Sequence, residues 1–393
     1  MTKSLMSRFS DFFQRIHPFF GENDHTIESP GRPEPVKTQS PPSPARIPIT
    51  DPISHKPKFQ HPKDKHIQKF TLLLSASVVD LDKVREISWV GIPNKYRARA
   101  WRLFLDYEPL GNEQAPSALR HKRKDYFDCM SRLFNDEQQA LWTSSQKQTQ
   151  HQISIDLPRT SITLLRNERV ISLFQHVLFV WAVRHPASGY VQGMNDILQP
   201  FFFVFLMQYY PNMSADEIAS KSDIDELSED QKNDIEADCF WCFSRLLDGI
   251  QDVFTKDQPG LYRMIENLES VLQRAEPQLA KMIEEQNIPY TNFTIKWMNC
   301  LLVREFPLPL LFRIWDLFIS DSSKIASTLV YICAAMLSNL SDSLLELQKM
   351  EFIVAIQSLQ PEFWTPEKLE TILALAFVYE KNYSLIASSL RYH

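Results

Sequence analysis

The strongest pattern of apolar residues in the chain lies between residues 170 and 181, where they recur at helical spacing. Their i, i+3, i+4, i+7, i+8, i+11 series is typical of a helix with a broad buried face. The members of this series are Val170, Leu173, Phe174, Val177, Leu178 and Trp181. An Asp-x-x-Arg element (Asp156, Arg159) precedes the helix, and a Gly-x-x-Gln-Gly element (Gly189, Gln192, Gly193) follows it. The pattern therefore predicts one buried helix between a charged element and a glycine-bracketed loop.

Helical spacing also describes most of the chain from Ile67 onwards. A first run ends at the break Gly91-Ile92-Pro93, and the next stripe carries Trp101 one turn after Arg97. Further helical patterns cover residues 201–210, 239–253, 261–275, 279–286, 293–304, 309–318, 327–337, 344–359 and 366–383. No run shows sustained strand alternation, so the predicted fold is all-α.

Two polar stretches are interpreted as facing solvent. Residues 119–150 predict a polar helix with a basic cluster, for which a solvated helix face is the default interpretation. The cluster consists of Arg120, Lys122, Arg123 and Lys124. Residues 212–237 are strongly acidic and predict a solvated, mobile insertion.

The N-terminal part differs in composition from the rest of the chain. Within residues 1–20, residues 3–16 predict a short amphipathic helix whose apolar side carries Leu5, Phe9, Phe12, Phe13 and Ile16. Such a helix is either an interfacial membrane anchor or a segment that docks on the folded domain or on a partner protein. Residues 21–66 are rich in Pro and Ser and poor in large apolar groups, so they predict a disordered linker.

Composition supports a helical, intracellular protein. The chain has 8 glycines in 393 residues, where average usage would give roughly 27, and β-rich folds need glycine for their turns. The net charge of −6 gives no reason to expect nucleic acid as a partner. Five cysteines do not make a disulfide framework and indicate a reducing compartment. No apolar stretch of about 18 residues or more predicts a membrane span.

Cys239 and Cys242 form a C-x-x-C pair, but no second pair or histidine cluster follows at zinc-site spacing. We interpret them as two small residues on one face of a core helix, and we expect no metal site. Phosphate loops, nucleophile elbows and kinase motifs are also absent from the sequence. Any phosphate chemistry would therefore use a nucleotide bound by a partner.

Asp156 and Arg159 are the first candidate site residues. Pro158 between them suits the first turn of a helix, because it has no N–H to lose there. An arginine at a helix entry can project beyond the scaffold, and an aspartate three residues earlier can tether it. The commoner alternative for this spacing is a surface salt bridge of little consequence.

The glycine-bracketed loop is the second candidate. Gly189 and Gly193 are two of only eight glycines, so the loop is expected to need unusual backbone angles or close approach of another group. It presents Gln192 just before the following helix, where a carboxamide can orient water or a phosphate oxygen. A plain helix–helix turn is the alternative. An arginine and a glutamine together are what a slow GTPase lacks for GTP hydrolysis.

At this point the chain resembles a known family. Ile153-x-x-Asp156-x-x-Arg159 and Tyr190-x-Gln192-Gly193 are similar to the two signature motifs of TBC-domain GTPase-activating proteins, which act on Rab GTPases. Gly91-Ile92-Pro93 with Arg97 and Trp101 resembles the family's first motif, and Trp315-Asp316 resembles a later one. The likeness covers about residues 90–390 and is strongest to the member-twenty-two subgroup and its yeast relative.

The resemblance implies a two-lobed helical domain over residues 67–393 with a cleft that grips a GTP-loaded Rab. The N-terminal lobe would cover about residues 67–238 and the C-terminal lobe about residues 239–393. Arg159 would be an arginine finger and Gln192 a glutamine finger. The supporting residues would be Asp156, Tyr190, Gly193, Arg97, Trp101, Trp315 and Asp316. A segment that contacts the partner would contain Lys296, Trp297 and Arg304.

The same resemblance implies no cofactor of the chain's own, because GTP and Mg²⁺ would be carried by the partner GTPase. The chain would be an activator with no active site for free nucleotide, working in vesicle trafficking. It would be cytoplasmic and peripheral on the Golgi or other endomembranes. Two alternatives compete with this interpretation: a Rab-binding scaffold without catalysis, and a helical adaptor unrelated to nucleotides.

Overall fold

The structure is a computed structural model that describes residues 62–160 and 162–389. Within these residues the secondary structure is helical, apart from one isolated β-bridge between Val78 and Gly111. The all-α prediction is therefore confirmed. The amphipathic segment 3–16 and the linker up to residue 61 lie outside the described residues. The first helix begins at Pro62, five residues before the predicted start at Ile67.

Among the described residues, seven α-helices precede the glycine-bracketed loop. They are α1 Pro62–Ser75, α2 Leu81–Ser88, α3 Asn94–Phe104, α4 Ala115–Phe134, α5 Asp136–Ala140, α6 Ser144–Asp156 and α7 Glu168–Arg184. The helices after it are α8 Met194–Met207, α9 Ala215–Ala219, α10 Glu229–Asp248, α11 Pro259–Ala275, α12 Pro277–Glu285, α13 Thr291–Asn299, α14 Leu308–Ser320, α15 Ile325–Leu344, α16 Lys349–Gln357 and α17 Pro366–Ser389.

Helix α8 is the centre of the first group of helices. All of its residues are buried, because it is apolar on every side after its first turn. It packs against α3, α7, α9 and α10, and α14 covers it from the C-terminal half. The predicted buried helix with Val170 and Trp181 is α7, which packs between α6 and α10.

Helix α15 is the centre of the second group and packs against α11, α14 and α17. Together with the turn before it, at Ser322–Leu344, it is the one described segment long and apolar enough to cross a membrane. About two thirds of that segment, 67%, is buried inside the domain, which is typical of a core helix. The division of the domain into two lobes stays a prediction.

The predicted boundary between the lobes, at about residues 238 and 239, falls inside one continuous helix. Helix α10 runs without interruption from Glu229 to Asp248 and packs mainly on α8, α7, α4 and α3 of the first group. The whole helix therefore packs with the first group of helices. The apolar pattern did not predict the start of α10, because the first turns of this helix are polar.

The acidic segment 212–237 is packed on the domain, so the expectation of a solvated excursion is wrong. Its acidic residues alternate with apolar ones that are buried in the core: Ala215, Ile218, Ile224, Leu227 and Ile235. Ser214 and Glu217 form a reciprocal cap at the start of α9, which then packs on α8. These few buried apolar side chains are sufficient to pack the segment against the domain, although its net charge is negative.

The basic cluster on α4 is only partly a solvated face. Arg123 donates through Nε and Nη2 to the buried Asp238 at 2.8 and 2.9 Å, and Lys122 donates to the carbonyl oxygen of Tyr107 at 2.8 Å. Asp238 also accepts from the Tyr107 hydroxyl at 2.7 Å and from Arg102 at 3.2 Å. The buried carboxylate of Asp238 on α10 thus binds Arg123 of this cluster, since an unpaired buried charge would be costly.

Candidate functional site

The arginine element lies at the end of α6. A reciprocal cap between Thr143 and Gln146 starts this helix, and Asp156 is its last residue. Pro158 lies in the turn that follows, and the Arg159 amide donates to the Asp156 carbonyl oxygen at 3.1 Å. The expectation that Pro158 starts a helix is therefore wrong. Proline just beyond a helix end is common, because it cannot continue the helix.

Asp156 holds the base of this element through its carboxylate. Its side chain is 3% exposed and accepts from Arg159 Nη1 at 3.3 Å, from Gln152 Nε2 at 3.1 Å and from the Tyr190 hydroxyl at 3.1 Å. The Arg159 side chain is 60% exposed. The carboxylate is thus fixed inside the domain, and the guanidinium that it contacts extends into solvent.

The glycine-bracketed loop has left-handed backbone angles at both glycines, with φ of +62° at Gly189 and +105° at Gly193. A side-chain Cβ at Gly193 would lie 3.3 Å from Cys300 Sγ and 3.6 Å from the Asn299 carbonyl oxygen. Glycine is therefore required at position 193 for two reasons: the backbone angle φ is left-handed, and the end of α13 lies close to where a Cβ would be. Gly193 also precedes α8 directly, and it leaves Gln192 exposed at the surface.

Tyr190 connects the two elements. Its hydroxyl lies 3.1 Å from Asp156 Oδ2 and 3.3 Å from Asn195 Oδ1, and Asn195 Oδ1 accepts from the Gly193 amide at 3.3 Å. Burial and the negative charge of Asp156 raise the pKa of the Tyr190 phenol, so it stays protonated as a donor. One chain of hydrogen bonds therefore runs from the arginine element to the glutamine loop.

The loop is also tied to the segment that was predicted to contact a partner. Asp196, on the first turn of α8, is buried and forms an ion pair with Arg304 Nη2 at 2.7 Å. It also accepts from Cys300 Sγ at 3.4 Å, and burial raises the pKa of this thiol. Lys296 lies near Arg304 in sequence and pairs with Glu305 at 2.8 Å. The side chains of Lys296 and Arg304 are partly exposed, and Arg304 contacts the helix turn that follows the glutamine loop.

The expectation that Trp297 contacts a partner is wrong for its side chain. Trp297 is 1% exposed, and its ring packs edge-on against Phe293 in the core. A tryptophan side chain is as suited to packing as to partner contact, because its burial removes a large apolar area from water. The indole supports the surface that Lys296 and Arg304 present.

Four of the seven residues expected to support the site lie together: Arg97, Trp101, Trp315 and Asp316. The fully buried carboxylate of Asp316 accepts from the Ile92 amide at 2.8 Å, Arg97 Nε at 3.0 Å and Trp101 Nε1 at 2.9 Å. The rings of Trp101 and Trp315 stack with centroids 6.1 Å apart.

Trp315 extends this cluster to the functional loop. Its Nε1 donates to the Leu301 carbonyl oxygen at 3.2 Å, and Leu301 follows Cys300 directly. The Asp316 cluster therefore supports the loop segment after α13, against which Gly193 packs. Leu301 itself has φ of +47°, a left-handed angle that neighbouring contacts must hold in place.

A comparison with protein families decides what this site belongs to. The Rab-GTPase-TBC domain matches residues 94–345, which is more than half of the chain. The chain belongs to the Rab-GTPase-TBC domain family. The TBC domain explains why the elements around Asp156, Tyr190 and Asp316 occur together, and it confirms the resemblance found in the sequence.

Several relatives of this TBC domain are similar over most of the chain. Human TBC1 domain family member 22B is 36% identical over 349 residues, which are 87% of this chain and 67% of the relative. GTPase-activating protein gyp1 of Schizosaccharomyces pombe is 35% identical over 337 residues, 83% of this chain and 63% of the relative. GYP1 of Saccharomyces cerevisiae is 31% identical over 382 residues, 81% of this chain and 59% of the relative. The chain thus spans roughly two thirds of the length of these relatives.

The fold is similar to that of solved TBC domains. The crystal structure of the Ypt/Rab-GAP domain of Gyp1p matches with a TM-score of 0.76 and 36% identity, covering 81% of this chain and 99% of that chain. A Chlamydomonas flagellar RabGAP TBC domain matches with a TM-score of 0.54 and 16% identity, a likeness that concerns the fold alone.

The structure adds functional neighbours that the sequence pattern missed. Asn195 and Asp196 open the most apolar helix of the TBC domain and are both buried. Two polar residues at the start of an otherwise apolar helix are a signal for buried hydrogen bonding. Cys300 carried no such signal, because its role depends on the approach of Gly193 from another part of the chain.

Proposed function

We propose that this TBC domain accelerates GTP hydrolysis by a Rab-family GTPase in its GTP form, supplying Arg159 and Gln192 in trans. The observation that carries the proposal is the hydrogen-bonded path through Asp156 and Tyr190, which joins the two elements while both finger side chains stay exposed. A surface salt bridge of no consequence would not need a buried carboxylate with three donors.

The two fingers have distinct roles in this proposal. The Arg159 guanidinium neutralises charge that develops on the transferred phosphoryl group, and the Gln192 carboxamide orients the attacking water. An arginine supplied in trans is worth on the order of 10³–10⁵ in rate, or roughly 4–7 kcal/mol of barrier. The partner brings GTP and Mg²⁺, so this chain contributes side chains and no nucleotide pocket of its own.

Asp156 and Tyr190 act as positioning residues. Asp156 holds one edge of the Arg159 guanidinium and leaves its other donors free for phosphate oxygens. Tyr190 keeps the loop that carries Gln192 in register with that carboxylate. Lys296 and Arg304, whose side chains are partly exposed, would contact the GTPase at the edge of the site.

The test is single-turnover GTP hydrolysis on a panel of purified GTP-loaded Rabs. We expect Arg159→Ala and Gln192→Ala each to reduce the stimulated rate by about two orders of magnitude or more, with unchanged unfolding midpoints. Matched controls are Arg274→Ala, an exposed arginine that bonds only to Ser270, and Gln138→Ala, an exposed glutamine on α5.

The outcomes separate the candidate functions. Equal stimulation by wild type and both finger variants would reject the assigned roles. Binding of a GTP-loaded Rab without stimulation would favour the scaffold.

We further propose that the chain works in vesicle trafficking, in the cytoplasm and on Golgi or other endomembranes. Fractionation of cells that express a tagged chain tests this location, and a purely soluble distribution would contradict the endomembrane part.

A further inference from the structure

A groove that does not include the finger residues is formed between α2, α14, α15 and α17. It encloses a cavity of about 240 Å³. Its floor is apolar, with Leu317, Ile332 and Leu373 buried at its base. Trp89 and Phe377 form its rim, and their ring centroids are 5.1 Å apart. We name this feature the Trp89 groove.

The rim of the Trp89 groove exposes an unusual amount of apolar surface. Trp89 is 46% exposed and Phe377 40% exposed, although both rings are large. Their sequence neighbours Val90 and Val378 are also exposed. Single exposed apolar residues are ordinary, but a contiguous patch around a cavity marks a surface that something covers.

The N-terminal part of the chain approaches the domain beside this patch. His66 Nε2, on α1, lies 3.0 Å from the carbonyl oxygen of Gly91, two residues after Trp89. Helix α1 begins at Pro62, four residues before His66, which is about 6 Å along a helix axis. The 61 residues that precede Pro62 therefore join the domain next to the rim of the groove.

One stretch of those residues matches the groove in chemistry. Phe9, Phe12, Phe13 and Ile16 follow the i, i+3, i+4, i+7 series of an amphipathic helix, so three aromatic rings share one side. An amphipathic helix that lays such a stripe into an apolar groove is a common mode of recognition. Residues 17–61 are long enough for this segment to reach the groove, since an extended chain spans about 3.3 Å per residue.

The charged residues around the groove and on the segment 3–16 are of both signs. The groove is flanked by Arg85, Lys324 and Lys381 but also by Asp321 and Glu380. Asp321 and Lys324 already pair at 2.8 Å. The segment 3–16 likewise carries Lys3, Arg8 and Arg15 together with Asp11. The choice of residues 3–16 as the occupant therefore rests on the apolar stripe and on the short tether, and not on charge.

We propose that residues 3–16 dock as an amphipathic helix in the Trp89 groove of the same chain. Because the segment is tethered beside the groove, docking is intramolecular and needs no high concentration of protein. The apolar stripe then covers the exposed rings of Trp89 and Phe377. This contact is independent of the proposed action on a Rab.

Hydrogen–deuterium exchange on the full chain tests the proposal. In the wild type we expect amides of residues 3–16 to exchange about tenfold or more slowly than an unstructured peptide. Phe377→Ser removes the rim ring without disturbing the core, and it should restore unstructured exchange to residues 3–16. In return, Phe9→Ser with Phe12→Ser should speed exchange in residues 371–381, and the polar-side control Ser4→Ala with Ser7→Ala should not.

Four results would overturn the proposal. Exchange of residues 3–16 at the unstructured rate in the wild type would show that no docking occurs. Slow exchange that survives Phe377→Ser would mean docking elsewhere. Slow exchange that disappears on dilution would indicate a second copy of the chain as the partner. Slow exchange that requires added vesicles of phosphatidylcholine and phosphatidylserine would assign the segment to a membrane.

Discussion

Replacing Asp156 by asparagine tests how the arginine finger is held. The substitution keeps the shape of the side chain, but it removes the charge and exchanges one acceptor oxygen for an NH₂ group. In the wild type Oδ1 accepts from Arg159, and Oδ2 accepts from Gln152 and Tyr190. Whichever way the amide is turned, at least one of these donors faces another donor.

The expected magnitudes follow from this geometry. Loss of a hydrogen bond to a buried charged group lowers the free energy of unfolding by about 1.5–3 kcal/mol. The bond to the exposed Arg159 contributes little to this free energy. We therefore expect the free energy of unfolding to fall by about 2 kcal/mol. Arg159 keeps its guanidinium but is held less firmly in its position for the transition state, and we expect the stimulated kcat to fall about tenfold, which corresponds to about 1.4 kcal/mol of barrier. KM should change little, because the arginine acts on the transition state.

Single-turnover GTP hydrolysis with a responsive Rab and urea denaturation measure the two effects. The chain offers a matched control in Asp82→Asn. Asp82 and Arg85 have the same Asp-x-x-Arg spacing and form an ion pair, but the Asp82 side chain is 92% exposed. We expect Asp82→Asn to leave both the rate and the urea midpoint unchanged.

Two results would refute this reasoning about Asp156. A loss of rate as large as that of Arg159→Ala would mean that the carboxylate itself takes part in the reaction. An unchanged rate in a variant that is measurably less stable would mean that Arg159 needs no tether from Asp156.

Three further predictions concern the supports of the site. Gly193→Ala should cost about 1–2 kcal/mol and reduce stimulated hydrolysis, because its left-handed angle and its contact with the α13 end both disfavour a side chain. Gly189→Ala, where no atom lies within 4 Å of an added Cβ, should reduce hydrolysis less, and equal losses would contradict the role of close approach. Arg304→Met should lower stimulated kcat about tenfold, because the buried Asp196 loses its ion-pair partner. Arg304→Lys should retain most of the activity. Equal rates for the two variants would reject the ion pair as the cause. Asp316→Asn should lower the urea-unfolding free energy by about 3–5 kcal/mol, since it leaves a buried arginine unpaired, and a loss below about 1 kcal/mol would show that the buried contacts are replaceable.

The helices that the sequence predicts well are those whose burial has a local signature. Helix α7 was predicted from its apolar stripe because one face packs and the other stays partly polar. Helix α10 was predicted to begin ten residues late, since its first turns carry charged residues. Ser228 and Gln231 form a reciprocal cap there, and this S-x-x-Q spacing was a readable start signal in the sequence.

The candidate site was predictable in its residue types and not in its geometry. Asp-x-x-Arg spacing occurs at Asp82 as well as at Asp156, so spacing alone cannot separate an exposed ion pair from a buried tether. Burial depends on which helices pack over each aspartate. The contact between Gly193 and Cys300 likewise joins positions more than a hundred residues apart, and no local pattern in either segment encodes it.

The three donors around Asp316 have a consequence for how the chain is made. Arg97 precedes Asp316 by 219 residues, and ribosomes extend a chain at about 5–20 residues per second. Synthesis of the intervening segment thus takes roughly 10–45 s. Throughout that interval the guanidinium of Arg97 and the indole of Trp101 lack their native acceptor. The earliest helices to emerge therefore wait for the second half of the chain, and the domain acquires its native packing only after most of it has left the ribosome.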